Sequence, residues 1–282
     1  MQTNKFKLTR NGQTVNLLTH ASAINSVSWS LPPGKSGSCP MATIGGVCGA
    51  CFAFTGYYGY DVVQRAQWTR FGWWQENIKT LLGRQILIDT LTEAIKGTAK
   101  NGFFRIFDSG DFNSIAAIEV WTEIVRRMPE ISFWVPTRIW YSTNLNWLTP
   151  LRELAKLPNI TVKPSGINFD ETAPQMTWLD KGTTVITSLD KALIDKINVA
   201  VCPKSEHSSS CEEQGCRRCW DKTENKDIAY LIHGVAGRHK VTPISEKIYK
   251  RQMEAKKKYL QPVSVTIERK TCNDNVTIKG SN

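Results

Sequence analysis

From residue 103 onward, short β-branched or aromatic runs alternate with stretches of helical period, and few folds accept that rhythm. The runs fall at residues 103–107 (FFRIF), 131–135 (ISFWV), 160–163, 184–187, 198–201 and 228–232. Between the first two, Ile118, Trp121, Ile124 and Val125 share one helical face, Ser114 suits the start, and Pro129 follows the end. Between the next two, Leu148, Leu151 and Leu154 repeat the plan and Pro158 stops it. Upstream, 61–82 and 85–98 read as helices, and a strand at 14–18 or 27–29 precedes a cysteine-rich loop. Near the end, 244–260 reads as a basic amphipathic helix and 263–267 as a last strand. Strand, loop and helix in repetition predict a mostly parallel sheet with helices outside it. The expectation is one α/β domain over residues 1–282, an incomplete or distorted (β/α) TIM-like barrel; an open doubly wound sheet is the alternative. No Gly-x-Gly-x-x-Gly follows an early strand, which argues against a dinucleotide fold.

Seven of the eight cysteines lie in two groups, Cys39-x8-Cys48-x2-Cys51 and Cys202-x8-Cys211-x4-Cys216-x2-Cys219. They fall in loops at 30–60 and 202–220, with a basic helix and tail at 240–282. No run approaches the roughly 20 apolar residues of a membrane span. The first 13 residues are polar and hold no apolar signal core, so export is not expected. In a reducing cytosol, grouped cysteines read as metal-binding or catalytic rather than as disulfides. Three thiols in the first loop suit a [4Fe-4S] cluster with one open iron, and four in the second suit a closed site. With His233 they make eight ligands, enough for two four-coordinate sites; one cluster fed by both loops fits equally. Zinc is the alternative metal, since spacing does not separate the two. Cys272 stands alone in a polar tail and reads as a free thiol.

In a βα barrel, the residues that follow each strand gather at one rim. Here they include Asp108 and Asp111 after 103–107, Arg138 after 131–135, Lys163 at the end of 160–163, Cys202 after 198–201, and His233 after 228–232. Asp108 and Asp111 are candidates for acid–base or nucleophilic work; an Asx turn capping the next helix is the plain reading of Asp111. Arg138 suits an anionic group, or an ion pair with either aspartate. Lys163 is a candidate cofactor contact. The net charge of +11, from 36 Lys and Arg against 25 Asp and Glu, favours an acidic partner, nucleic acid or an anionic small molecule, and no membrane. Tyr57, Tyr58 and Tyr60, followed by Arg65, Trp68 and Arg70, suit single-stranded nucleic acid; packing of Trp73 and Trp74 into the core is the plainer reading.

The set Leu31-Pro32-Pro33-Gly34-Lys35, Cys39-Pro40, Cys48-Gly49-Ala50-Cys51, Arg105 to Phe112, Phe133-Trp134, Thr137-Arg138, Cys202-Pro203 and Cys216-Arg217-Arg218-Cys219-Trp220 resembles the gene product eighty-eight family of phage and prophage proteins. That resemblance implies a phage origin and a host-cytoplasm location, with no settled chemistry. The inserted Glu212 to Gly215 departs from that family's usual gap. Asp108-Ser109-Gly110, with Cys216-x2-Cys219 and His233, is similar in kind and order to tRNA-guanine transglycosylases, which implies a catalytic Asp and a late zinc site; the zinc spacing differs.

Together these features lead to an expected phage-encoded iron–sulfur enzyme, a lyase or transferase acting on a small sulfur-containing, S-adenosylmethionine-like or anionic substrate. A zinc-containing, transglycosylase-like enzyme on DNA or tRNA bases is one alternative. A non-enzymatic nucleic-acid-binding protein with structural metal is another.

Overall fold

The computed structural model describes residues 6–21, 26–43, 45–206, 210–232, 244–260, 265–270 and 275–279. The hairpin β1 (Phe6–Arg10) and β2 (Gln13–Asn16) comes first, then β3 (Thr19–Ala21) and β4 (Ser26–Ser30). The first cysteine loop follows and carries the short helix α1 (Gly46–Gly49). Next come α2 (Asp61–Asn77), α3 (Leu81–Thr98), β5 (Phe103–Ser109), α4 (Ile115–Arg126), β6 (Ser132–Thr137), α5 (Leu145–Ala155), β7 (Ile160–Phe169) and β8 (Thr183–Ile186). The chain continues through α6 (Lys191–Ile197), β9 (Ala200–Val201), α7 (Pro203–Glu206), β10 (Ile228–Leu231), α8 (Glu246–Tyr259), β11 (Val265–Lys270) and β12 (Asn275–Lys279).

Eight strands form one sheet in the order β3-β4-β5-β6-β7-β8-β10-β9. All neighbours pair in parallel except β3, which lies antiparallel to β4 at the edge. The edge strands β3 and β9 do not pair with each other, so the sheet is open and the expected barrel does not close. Their shortness, three and two residues, leaves little ladder to join. A second, antiparallel sheet runs β12-β11-β1-β2. Of the two expected early strands, 27–29 belongs to the main sheet and 14–18 to this smaller one. β12 was not foreseen.

Helices cover one face of the main sheet. Phe104 and Ile106 of β5, Phe133 and Val135 of β6, and Ile160 and Val162 of β7 share a core with Leu91, Trp121 and Leu151. Period-two alternation sends these residues to the helix side and their neighbours to the other. Trp29, Trp74 and Trp121 form the centre of this core, with Trp74 stacked on Trp121 at 6.3 Å. Ser114 Oγ accepts the Ala117 N–H at 3.1 Å and caps α4. The helix expected over 61–82 stops at Asn77, because Thr80 caps a new helix by accepting the Gly83 N–H at 3.0 Å.

The opposite face carries Phe103, Arg105, Trp134 and Lys163, and the second cysteine loop lies across it. Trp220 meets the rings of Phe103 at 5.2 Å and Trp134 at 5.9 Å, and its Nε1 donates to the Phe104 carbonyl at 3.2 Å. The adjacent Cys219 lies 3.2 Å from the Tyr230 hydroxyl on β10. In a flat sheet, β5 and β10 would be about 19 Å apart, four spacings of about 4.8 Å. Two consecutive residues touch both, so the loop bridges the sheet from β5 to β10. Truncation by Trp220→Ala should destabilise the protein by about 3–5 kcal/mol in a urea titration, a large loss for a loop residue.

Candidate functional site

The first cysteine loop is fixed at the carboxyl ends of β4 to β7. The Leu31 N–H donates to the Ser109 carbonyl at 3.0 Å, and the Cys39 N–H donates to Gly34 at 3.0 Å. Ser38 Oγ donates to the Pro32 carbonyl at 2.9 Å and accepts the Asp111 N–H at 3.3 Å. Gly110 lies opposite, with φ +98°, and a Cβ there would come within 2.5 Å of Ser38 Oγ. Only glycine lets the Asp-Ser-Gly-Asp turn and the cysteine loop meet this closely. Gly46 plays the same part at α1, where a Cβ would lie 2.2 Å from the Ile167 carbonyl of β7.

A bulge aims Asp108. The β4–β5 register jumps from Trp29↔Ile106 to Ser30↔Ser109, and Phe107 sits in the left-handed region at φ 64°. That conformation is rare for a bulky residue. Asp108 is hydrogen-bonded to the Ser30 and Tyr58 side chains, with the charges of Arg105 and Arg70 nearby. Its Oδ1 is buried without a partner. Burial raises its pKa, against the pull of Arg105, Ser30 and Arg70. Burial also brings Arg70 down to about 10 and raises Tyr58, with Asp108 adding to the effect.

Asp111 ties β5 to β6. Its Oδ1 accepts the Phe112 N–H at 2.8 Å and the Thr137 hydroxyl at 2.7 Å, and its Oδ2 accepts the Arg138 N–H at 2.8 Å. This replaces the Asx-cap reading, since Ser114 caps α4. Burial pushes Asp111 up to about 6 despite these bonds. With its backbone held, Arg138 turns its guanidinium toward the first loop. Nη1 donates to Cys48 Sγ at 2.9 Å and reaches Thr43 Oγ1 at 3.5 Å, and Nη2 donates to the Gly166 carbonyl. Nε is buried without a partner. The expected ion pair to Asp108 or Asp111 is therefore absent, because the guanidinium is engaged elsewhere.

Cys39, Cys48 and Cys51 act on one another as near charges. Burial holds Cys39 well above its usual value, with Asp111, Cys51 and Cys48 adding to the effect. Burial pushes Cys51 up to about 12; Cys48 adds to this and Arg138 opposes it. Without a compensating cation these two thiols stay protonated.

The second set lies around β9 and β10. Cys202 leaves β9 with its N–H on the Ala229 carbonyl at 2.8 Å. Its sulfur is hydrogen-bonded to the Cys211 thiol, which draws Cys202 below and pushes Cys211 above the usual thiol value. Burial holds Cys219 up at about 11. Cys216 reaches Cys211 through its N–H at 2.8 Å. The loop then crosses the helix-free face toward the amino ends of the strands. There Lys222 Nζ donates to the carbonyls of Ala155, Leu157 and Ile160 at 3.1, 3.3 and 2.6 Å. Cys202 leaves the carboxyl end of β9 as expected, while burial of Trp220 against Phe103 and Trp134 draws the later part of the second loop, with Cys219, inward over the face. Lys163 goes with this set. It is fully buried, donates to the Lys181 carbonyl at 3.0 Å, and its pKa is lowered by burial. His233, His207 and Cys272 lie outside the described residues.

Arg105 stands between the two sets and was missed as a site residue. Its guanidinium lies 4.7 Å from the centre of the Trp134 ring. Its charge acts on Asp108 and Tyr58 on one side, and on Cys219 and Tyr230 on the other. The available clue was a lone Arg at an alternating position of an otherwise apolar strand. Among the described residues, no three His, Cys, Asp or Glu side chains are grouped so as to hold a metal ion.

An open α/β sheet with a thiol, carboxylate and guanidinium site at its strand ends defines the class of protein. The chain belongs to the Gene product 88 family, whose model matches residues 2–222. The phage family read from the motifs is thereby confirmed. No match was found among curated proteins or among solved structures. Among the described residues, no helix is long and apolar enough to cross a membrane.

The raised Asp111 pKa fixes a sign. The folded state holds this proton between about 3.8 and 6, where the unfolded state has lost it, so stability from this group falls as pH rises through that window. The stability advantage of the parent over Asp111→Asn should therefore shrink from pH 4 to pH 6 in denaturant titrations. A constant gap would contradict the burial of this carboxyl.

Proposed function

We propose that the first loop holds an iron–sulfur cluster, and that the protein is a phage-encoded, [4Fe-4S]-dependent enzyme acting on a small anionic substrate. The observation that carries this reading is that Cys48 and Cys51 lie within electrostatic reach of Cys39 on one loop, with Arg138 Nη1 on Cys48 Sγ at 2.9 Å; metal loading would draw together three sulfurs that are not grouped as ligands without it. The donor chemistry suits iron–sulfur or zinc, since thiolates are soft ligands, and buried thiols need a cation to ionise. Three ligands rather than four leave a coordination position for a substrate. When bound, such a cluster supplies redox or Lewis-acid chemistry at that position.

The chain's own groups have separable roles. Arg138 supports the Cys48 sulfur and offers its remaining Nε–H to an anion. Asp108, buried with a raised pKa and an unpartnered Oδ1, is suited to hold or pass a proton. Burial raises its pKa and Arg105 is the main opposing influence. The second set packs with Trp220 through Cys202, Cys211 and Cys219 and reads as a structural site that ties its loop to the sheet. The reducing host cytoplasm would keep both sets as thiols.

Anaerobically purified protein should be brown and contain iron and acid-labile sulfide. Cys39→Ser, Cys48→Ser and Cys51→Ser should each lose much of that iron, while Asp108→Asn keeps it. Colourless protein with stoichiometric zinc would overturn the reading.

A further inference from the structure

A cleft of about 570 Å³ lies between the start of α2 and helix α8, outside the cysteine site. Gly59, Tyr60, Asp61 and Gln64 form one wall, and Arg251, Glu254, Ala255 and Lys258 form the other. The first wall continues the first cysteine loop through the 3-10 turn Gly56–Gly59. The second is the cleft-facing stripe of a helix that carries six Lys or Arg against two Glu.

Helix α8 is held in place by residues away from that stripe. Gln252 donates to the Pro33 carbonyl at 2.7 Å, Lys256 to Ser36 at 2.9 Å, and the Tyr259 hydroxyl to Asp61 at 2.7 Å. These contacts leave Lys247, Lys250, Arg251 and Lys258 exposed. Asp61 is partly neutralised by Tyr259 and by Lys258 at 3.8 Å, and Glu254 remains as an opposing charge. Large aromatic rings are exposed beside the cations. Tyr57 is 79% exposed and Tyr60 59%, with their rings 5.6 Å apart, and Tyr249 on α8 is 48% exposed.

Exposed tyrosines cost apolar contact with water, and the Tyr57 and Tyr60 rings pack edge to face on each other with their outer surfaces open. Flat rings next to a cationic stripe match a ligand with both phosphates and open base faces. A duplex hides its base faces, and an acidic peptide has no use for flat rings. We infer that this cleft binds single-stranded nucleic acid, with phosphates along Arg251 and Lys258 and bases on Tyr57 and Tyr60.

The test is fluorescence anisotropy of a labelled oligothymidine strand with the full-length protein, isolated anaerobically, against a duplex of equal length. The single strand should bind more tightly than the duplex at low salt. Paired Arg251→Glu and Lys258→Glu should weaken binding at least tenfold and reduce the slope of log K against log salt by about 1 to 2. Paired Tyr57→Ala and Tyr60→Ala should weaken binding about 5- to 100-fold with the slope unchanged. Reversal of Lys191 and Lys196 on α6 should leave binding as in the parent, and matched thermal melts should show that every variant folds. Equal affinity for duplex with parent-like tyrosine variants would overturn the inference. So would displacement by polyglutamate as effective as by unlabelled strand, or absence of binding at low salt.

Discussion

The carboxylate of Asp111 is the constraint on which the strand-end site depends. It accepts hydrogen bonds from the Thr137 hydroxyl and from the backbone of Phe112 and Arg138, joining the ends of β5 and β6 through one buried group. Because the Arg138 backbone is held there, its guanidinium points away from the aspartates and reaches Cys48 and Gly166. Ser38 and Gly110 close the same turn against the first loop. A buried carboxylate is costly, and burial raises Asp111 to about 6 even with its hydrogen bonds made. Its three hydrogen bonds offset enough of it for the group to be kept.

The two faces of the sheet divide the cysteines. One face is filled by helices around Trp29, Trp74 and Trp121, so a loop can enter only from the other. The second loop does so, led by Trp220, and brings Cys202, Cys211 and Cys219 into a small cluster with Trp134 and Ile228. The first loop stays at the strand ends. Arg105 is stacked on Trp134, and its charge acts on Asp108 at the strand ends and on Cys219 of the second loop.

Much of this was legible in the sequence where local physics decides. The strands at 103, 160, 184 and 228 and the helix around Trp121 follow from period and capping, and the Ser114 cap forms as its position implies. The strand-end placement of Asp108, Asp111 and Arg138 follows from parallel topology. What was not legible depends on long-range packing. The open edge is a property of strands too short to pair. The inward path of 211–220 is set by where Trp220 finds apolar surface, which spacing between cysteines does not encode. The bulge at Phe107, with φ 64°, has no glycine or proline to announce it. Arg105 was hidden because a strand residue's importance comes from what tertiary packing brings near it.

The proposal to be tested is spatial: that metal is held by the first three thiols at the strand ends rather than by the second set. Anomalous diffraction at the iron edge, on crystals grown anaerobically, tests it most directly. The account predicts iron among Cys39, Cys48 and Cys51, beside Arg138. Iron confined to Cys202, Cys211 and Cys219 beneath Trp220, or a zinc edge alone, would contradict it.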